Sequence, residues 1–534
     1  MRFRMPDRIE YWVDGNAYLP EKHQHKDVSV PLSVHQEHLL VSVSATDTAI
    51  EYIRLRWTFR SEEKPDEEAK VYGDAWERAG GQLEWRGIVP ERCMPWFFLV
   101  STGSDRKQVR AGRRHEAFGV MVRPNAMCLW QYDSAGITLW LDVRCGGEGV
   151  RLGGRVLTAA EILFAEYSDI TAYEAGHRFC FEMCKDPILP DKPVYGANNW
   201  YYAYGNSSHR DIVNDATMLA KFCRENVNRP YMVIDDGWSP NPKNGPWHIG
   251  NERFPDMAGL AETIHGKNAM PGIWVRYIYD EGNVAGLPEK WHLERDRSQL
   301  DPSRKEVLSY IADTTNRFVS WGYRLIKFDC STQDILGRRG YKIPYVIADD
   351  GWHFFDQSRT SAEIIKEFYK TIRDSAGERA VLLGCAAISH LCAGYVHINR
   401  TGADINGKDW DITRRMGVNT LGFRMMMDEA FFKVDADCVG ITGQLPWQQV
   451  GQWMKALSVS GTPMFVSCRP GALDENQTLE LQTAYRVNSV QTDKLIPLDW
   501  MENICPMRWL LNGEEMTFDW FSETIPVQFA GKSI

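Results

Sequence analysis

The chain has 534 residues, with 61 Lys and Arg against 71 Asp and Glu and a formal net charge of -10. That balance argues against nucleic acid or an anionic membrane as a partner, and no apolar run is long enough to span a bilayer. The 12 Cys show no zinc-ligand or redox spacing, and the opening MRFRMPDRIEYW has no apolar signal core, so a cytoplasmic protein with free thiols, no metal and no cofactor is expected.

Two or three domains fit this length. The 20 Trp suit either a large core or a surface that stacks rings on sugars. Residues 1–190 carry alternating strands such as 52–60 and 136–144, separated by turns and by the solvated loop 61–70, which predicts an all-β sandwich. His23, His25, His35 and His38 are metal ligands by type, but no carboxylate or Cys stands at a fitting distance along the chain.

At Pro193 the pattern changes to short apolar runs alternating with amphipathic helices, the signature of βα units. Strands are predicted at 194–199, 231–234, 270–277, 325–329, 380–386, 396–399, 432–439 and 462–467. Asp301-Pro302 is placed to begin a helix that ends at Trp321. A long insertion, 331–358, follows strand four. Eight such strands in residues 191–475 match one (β/α)8 barrel, and residues 476–534 read as a small C-terminal β domain.

In such a barrel the polar residues at the strand ends converge on one mouth: Asn198, Asn199 and Trp200, Asp235 and Asp236, Arg276, Lys327 and Asp329, Cys385, Arg400 and Asp404. Gathering carboxylates and cations in one basin is costly and seldom serves stability alone. In strand four, Leu325, Lys327 and Asp329 share a face, opposite Ile326 and Phe328. A Schiff-base role for Lys327 is conceivable, and Asp329 alone could be a helix cap.

Two carboxylates flanking a sugar ring fit glycoside hydrolysis better. Lys327 would hold Asp329 ionised as the nucleophile, and Asp404, on the turn beyond strand six, would be the general acid and base. Asp235 and Asp236 can accept hydrogen bonds from two neighbouring hydroxyls, with Trp238 or Trp200 stacked below.

Ile234-Asp235-Asp236-Gly237-Trp238, Ile326-Lys327-Phe328-Asp329-Cys330 and Arg400-Thr401-Gly402-Ala403-Asp404-Ile405, in that order after Asn199-Trp200, resemble clan D of the glycoside hydrolases. This clan holds the retaining α-galactosidases and α-N-acetylgalactosaminidases of families 27 and 36 and their transglycosylating relatives. The resemblance covers residues 194–470, and the N-terminal β domain with Gly73-Asp74-Ala75-Trp76 favours family 36. It implies Asp329 as nucleophile and Asp404 as acid/base, with Asp235 and Asp236 on O4 and O6 and Lys327 and Arg400 on the other hydroxyls. It also implies an oligosaccharide or glycoconjugate substrate, and a homo-oligomer. Gly384-Cys385-Ala386-Ala387 carries a Cys as in family 36 but lacks that family's glycine run, which leaves the sugar at O2 open. Trp76 and Arg78 are the N-terminal residues expected to reach the site. Transglycosylation, a non-catalytic carbohydrate-binding barrel, and an isomerase or lyase using Asp and Lys stay open as alternatives.

Overall fold

The computed structural model describes residues 4–22, 24–66, 68–102, 114–340, 347–490 and 493–521. His23, part of the insertion after strand four and the end of the C-terminal segment lie outside the described residues.

The N-terminal domain stacks a six-stranded on a seven-stranded sheet, and among the described residues the strands of both pair antiparallel. The alternation in 52–58 puts Ile53, Leu55 and Trp57 inward, all at 0% exposure. There Trp57 meets Trp130 and Phe164 with ring centroids 6.2 and 5.5 Å apart, the geometry that close-packed aromatics prefer. Helix Ala172–Met183, started by a Thr171–Glu174 capping box, then leads towards the barrel.

Eight parallel strands follow: Tyr195–Asn198, Tyr231–Ile234, Met270–Val275, Leu325–Phe328, Val381–Gly384, Ile398–Arg400, a split seventh strand, and Met464–Cys468. Each expected strand is present. The seventh is interrupted: Lys433–Asp435 pairs with strand six and Cys438–Ile441 with strand eight, so the barrel closes through Ala436-Asp437. Asp437 has φ 76°, a left-handed conformation that breaks the strand and aims its side chain into the barrel's polar end. This is why the stretch 432–439 reads as more polar than its neighbours.

Strand parity follows the sequence. Val233, Leu325, Leu383, Ile398 and Phe465 fill the barrel interior, while Ile234, Ile326, Phe328 and Leu382 pack outward under the helices. Burying each of these aliphatic side chains contributes about 1.5–3 kcal/mol. Strand one can lie close to strand two because position 196 is glycine: a Cβ there would stand 1.9 Å from the Tyr231 carbonyl oxygen.

Two helix boundaries differ from expectation. The fourth-strand helix begins at Lys305 rather than at Asp301-Pro302, because the Asp301 carboxylate accepts from Ser303 N at 2.8 Å and from Phe355 N at 2.7 Å, tying down the insertion instead. Helix Glu475–Asn488, beyond the boundary drawn at 475, covers the barrel, with the Tyr485 hydroxyl donating to Gly196 O at 3.1 Å. The C-terminal sheet comprises Ile496–Pro497, Arg508–Leu511 and Glu514–Thr517.

The N-terminal domain also enters the barrel mouth. Ala79 N donates to Thr401 O at 2.8 Å and Ala403 N to Ala79 O at 2.9 Å, so the segment after Gly73 adds a parallel bridge to the end of strand six. A wholly buried ion pair, Arg424 with Asp74 at 2.9 Å, anchors the same segment, and Arg424 also donates to Ala75 O at 3.0 Å. Breaking such a pair on one side costs about 3–5 kcal/mol.

Candidate active site

Asp329 lies just past strand four. Its Oδ1 accepts from Cys330 N at 2.6 Å and its Oδ2 from the Trp274 indole N–H at 3.3 Å. Cys330 itself sits in the left-handed region, at φ 61°, where the chain turns from the strand end into the helix that follows. Burial pushes the Asp329 carboxyl up, but Arg78, then Lys327 and the two N–H donors, outweigh it and hold the pKa at about 2. The sequence assigned this effect to Lys327; Arg78, carried by the N-terminal domain, is the larger cause.

Lys327 donates to Asp235 Oδ2 at 2.6 Å. Burial alone would lower the pKa of its ammonium; the carboxylates of Asp235 and Asp329 raise it well above the usual lysine value, so the group stays charged. Asn198 Nδ2 donates to the same Asp235 oxygen at 2.7 Å, and Asp236 N to the other at 2.9 Å. Asp236 accepts from Lys243 N at 2.8 Å, and burial, with Asp235 adding to it, raises its pKa.

Asp404 is the most accessible carboxylate of the group, with 52% of its side chain exposed. Arg78 and Arg400 both donate to its Oδ1, at 3.1 and 3.0 Å, and among the described residues its Oδ2 accepts no hydrogen bond. Arg400 is itself buried and ion-paired with Asp437, which also accepts from the Tyr201 hydroxyl and from Ile405 N at 2.9 Å. Cys385 Sγ lies between the same two arginines, 3.7 Å from Arg78 and 3.8 Å from Arg400. Burial and the nearby Asp329 push the Cys385 thiol up, so it stays protonated at neutral pH.

Asp235, Asp236, Lys327, Asp329, Cys385, Arg400 and Asp404 thus form one network, and Trp200 stands half-buried at its mouth with its ring 5.4 Å from Tyr204. Three expected residues have other work. Trp238 is at 0% exposure, packed against Trp247 and Phe318 with its indole N–H on Trp274 O at 2.9 Å, so it cannot stack on a ligand. The Asn199 amide braces the strand ends: its Oδ1 accepts from Asp235 N at 2.7 Å and its Nδ2 donates to Ser207 at 2.8 Å. Arg276 is locked two-pronged on the buried Asp334 and lies 3.5 Å over the Tyr279 ring. Of the two N-terminal residues, Arg78 reaches the network, whereas Trp76 packs edge-on against Trp96 at 5.1 Å.

Trp274, Asp435 and Asp437 were not singled out. Trp274 was detectable, since it shares a strand face with Arg276; the alternating acids of Val434-Asp435-Ala436-Asp437 were a second available signal. Among the described residues no group of three His, Cys, Asp or Glu side chains is placed to hold a metal ion, and no helix is long and apolar enough to cross a membrane.

Exchanging Arg78 for Met removes the largest lowering influence on Asp329 while leaving its burial in place. The acid limb of kcat/KM should move to higher pH by about 1–3 units; a pH–rate profile of the variant checks this, and an unmoved limb would show that Arg78 does not govern this carboxylate.

No family model matches the chain. The fold is that of the family 36 α-galactosidases. An α-galactosidase from Thermus thermophilus, in complex with p-nitrophenyl α-D-galactopyranoside, superposes with a TM-score of 0.62 at 15% identity, covering 97% of this chain and 98% of that one. The family 36 α-galactosidase AgaA from Geobacillus stearothermophilus gives 0.60 at 13% identity over 92% of this chain and 77% of that one. The galactosidase domain of an α-galactosidase–sucrose kinase gives 0.56 at 15% identity over 90% and 74%.

Proposed function

We propose that the protein is a retaining exo-glycosidase that removes terminal α-galactosyl units from oligosaccharides or glycoconjugates. The observation that carries this reading is the pairing of two unlike carboxylates in one basin. Asp329 is half-buried and held ionised, and Asp404 is more open to solvent, with one oxygen that accepts no hydrogen bond among the described residues. The shared fold with α-galactosidases, one of them bound to an aryl α-galactoside and another to stachyose, supports the sugar.

In the first step an Asp329 oxygen attacks the anomeric carbon as the bond to the leaving oxygen breaks, and Asp404 gives that oxygen its proton. In the second step Asp404 takes a proton from water, whose oxygen attacks the same carbon and returns Asp329 as carboxylate. Both displacements invert, so the product keeps its configuration. Asp235 and Asp236, fixed by Asn198, Lys327 and backbone N–H groups, would accept from the sugar's O4 and O6 hydroxyls. Lys327 and Arg400 would donate to other ring oxygens. Rigid donors and acceptors cost little reorganisation as charge develops on the ring. An acceptor sugar in place of water would give transfer by the same chemistry.

Purified protein assayed against aryl α- and β-glycosides of galactose, glucose and N-acetylgalactosamine tests this. Release from the α-galactoside with α-galactose as the first product is expected. Cleavage confined to β-linked or gluco-configured substrates would overturn the sugar, and β-galactose as first product would overturn the mechanism.

A further inference from the structure

The outer face of the six-stranded N-terminal sheet carries rings that its core does not need. Its inner residues, including Ile53, Leu55, Ile137, Leu139 and Leu141, are fully buried against the second sheet. On the opposite face Glu10, Arg54, Trp140 and Leu129 form one row across four strands. The Trp140 ring lies 5.0 Å from that of Trp12 and 5.1 Å from the Arg54 guanidinium, and its N–H is held by Gln131 Oε1 at 2.9 Å. Trp12, Tyr52 and Trp140 are half-buried rather than covered, and with Gln131, Asp142 and Ile347 they line a groove of about 390 Å³. Small-molecule sites span roughly 300–1,000 Å³.

We propose that this groove is a carbohydrate-binding platform outside the catalytic centre, which holds distal units of an oligosaccharide; the assignment rests on the glycosidase reading above. Sugars present an apolar face of C–H groups and a rim of hydroxyls. Fixed tryptophan rings bordered by an amide, a carboxylate and a guanidinium match both. Each of these rim groups is held by a partner of its own, the Trp140 N–H on Gln131, Arg144 on Asp142 and Glu10 on Arg54, which fixes the rim in place. A second protein copy calls for about 800 Å² of matching surface on each partner, more than one walled groove offers.

Position supports the same occupant. Ile347, a wall of the groove, belongs to the insertion after strand four. A few residues on, Asp349 to Trp352 line a polar cleft of about 730 Å³ together with Arg276 and Lys243, whose N–H binds Asp236. One stretch of chain therefore borders both the groove and the cleft that adjoins the catalytic network.

Trp12→Ala and Trp140→Ala alter only this outer face. Both variants should hydrolyse p-nitrophenyl α-galactoside with unchanged constants, while KM for stachyose rises about 5-fold, the worth of one lost ring contact. In an Asp329→Asn background, quenching of tryptophan fluorescence by stachyose should show a second binding phase that Trp140→Ala abolishes. Unchanged stachyose kinetics together with an unchanged titration would overturn the proposal. So would sedimentation showing a wild-type dimer that Trp140→Ala converts to monomer, since the groove would then be an interface between copies. If the wild type hydrolyses neither substrate, the catalytic reading fails, and the titration still decides the groove.

Discussion

Asp329→Asn should lower kcat by at least about 10⁴-fold, with the fold intact. The substitution is nearly isosteric, and the cations around the site keep other partners: Lys327 retains Asp235, and Arg78 retains Asp404. What is lost is the ionised oxygen that a buried site could keep only because Arg78, Lys327 and two N–H groups outweigh the cost of burial. Circular dichroism should therefore match the wild type while turnover collapses. Asp329→Ala carries the test further. Azide can enter the space of the missing carboxylate and form its C–N bond as the aryl oxygen leaves, giving β-galactosyl azide from an α-galactoside. Near-normal turnover of Asp329→Asn, or no rescue of Asp329→Ala, would remove Asp329 from the chemistry.

Much of this centre was legible in the sequence because strands have period two. Lys327 and Asp329 share a face with Leu325, and the structure puts Leu325 in the barrel interior and Ile326 and Phe328 outside it. The same logic would have reached Trp274. Trp238 failed for a related reason. It follows a strand on a Gly turn, beyond the reach of strand parity, and the chain folds it back under the helix that ends near Trp321. Arg78 was harder, since nothing in its neighbours' spacing reports a contact across 326 residues with Asp404. It depends on the bridge from Ala79 to the end of strand six, and on the Asp74–Arg424 pair that holds the segment inside the mouth. Asp437 was hidden by a strand that looked continuous; its left-handed backbone both splits strand seven and turns the acid onto Arg400. Long-range partners and broken strands are tertiary facts, and local periodicity does not carry them.

Asp404→Asn should be the second large loss, and its size should depend on the substrate. Asn keeps an oxygen that can accept from Arg78 and Arg400, so the two arginines hold their places, but it can neither give nor take the proton. With raffinose-type substrates, whose leaving oxygen needs protonation, kcat/KM should fall about 10²–10⁴-fold. With nitrophenyl galactosides the phenolate leaves unaided, so the first step stays fast while the second, deprived of its base, slows. A burst of nitrophenol followed by a low steady rate is the expected trace. Azide needs no base and should restore the steady rate by attacking the galactosyl–Asp329 ester from the opposite face, which yields α-galactosyl azide. The two variants thus trap opposite anomers: β from Asp329→Ala, after one displacement, and α from Asp404→Asn, after two. The same anomer from both would refute this division of roles, since it would require both carboxylates to act on the same side of one step.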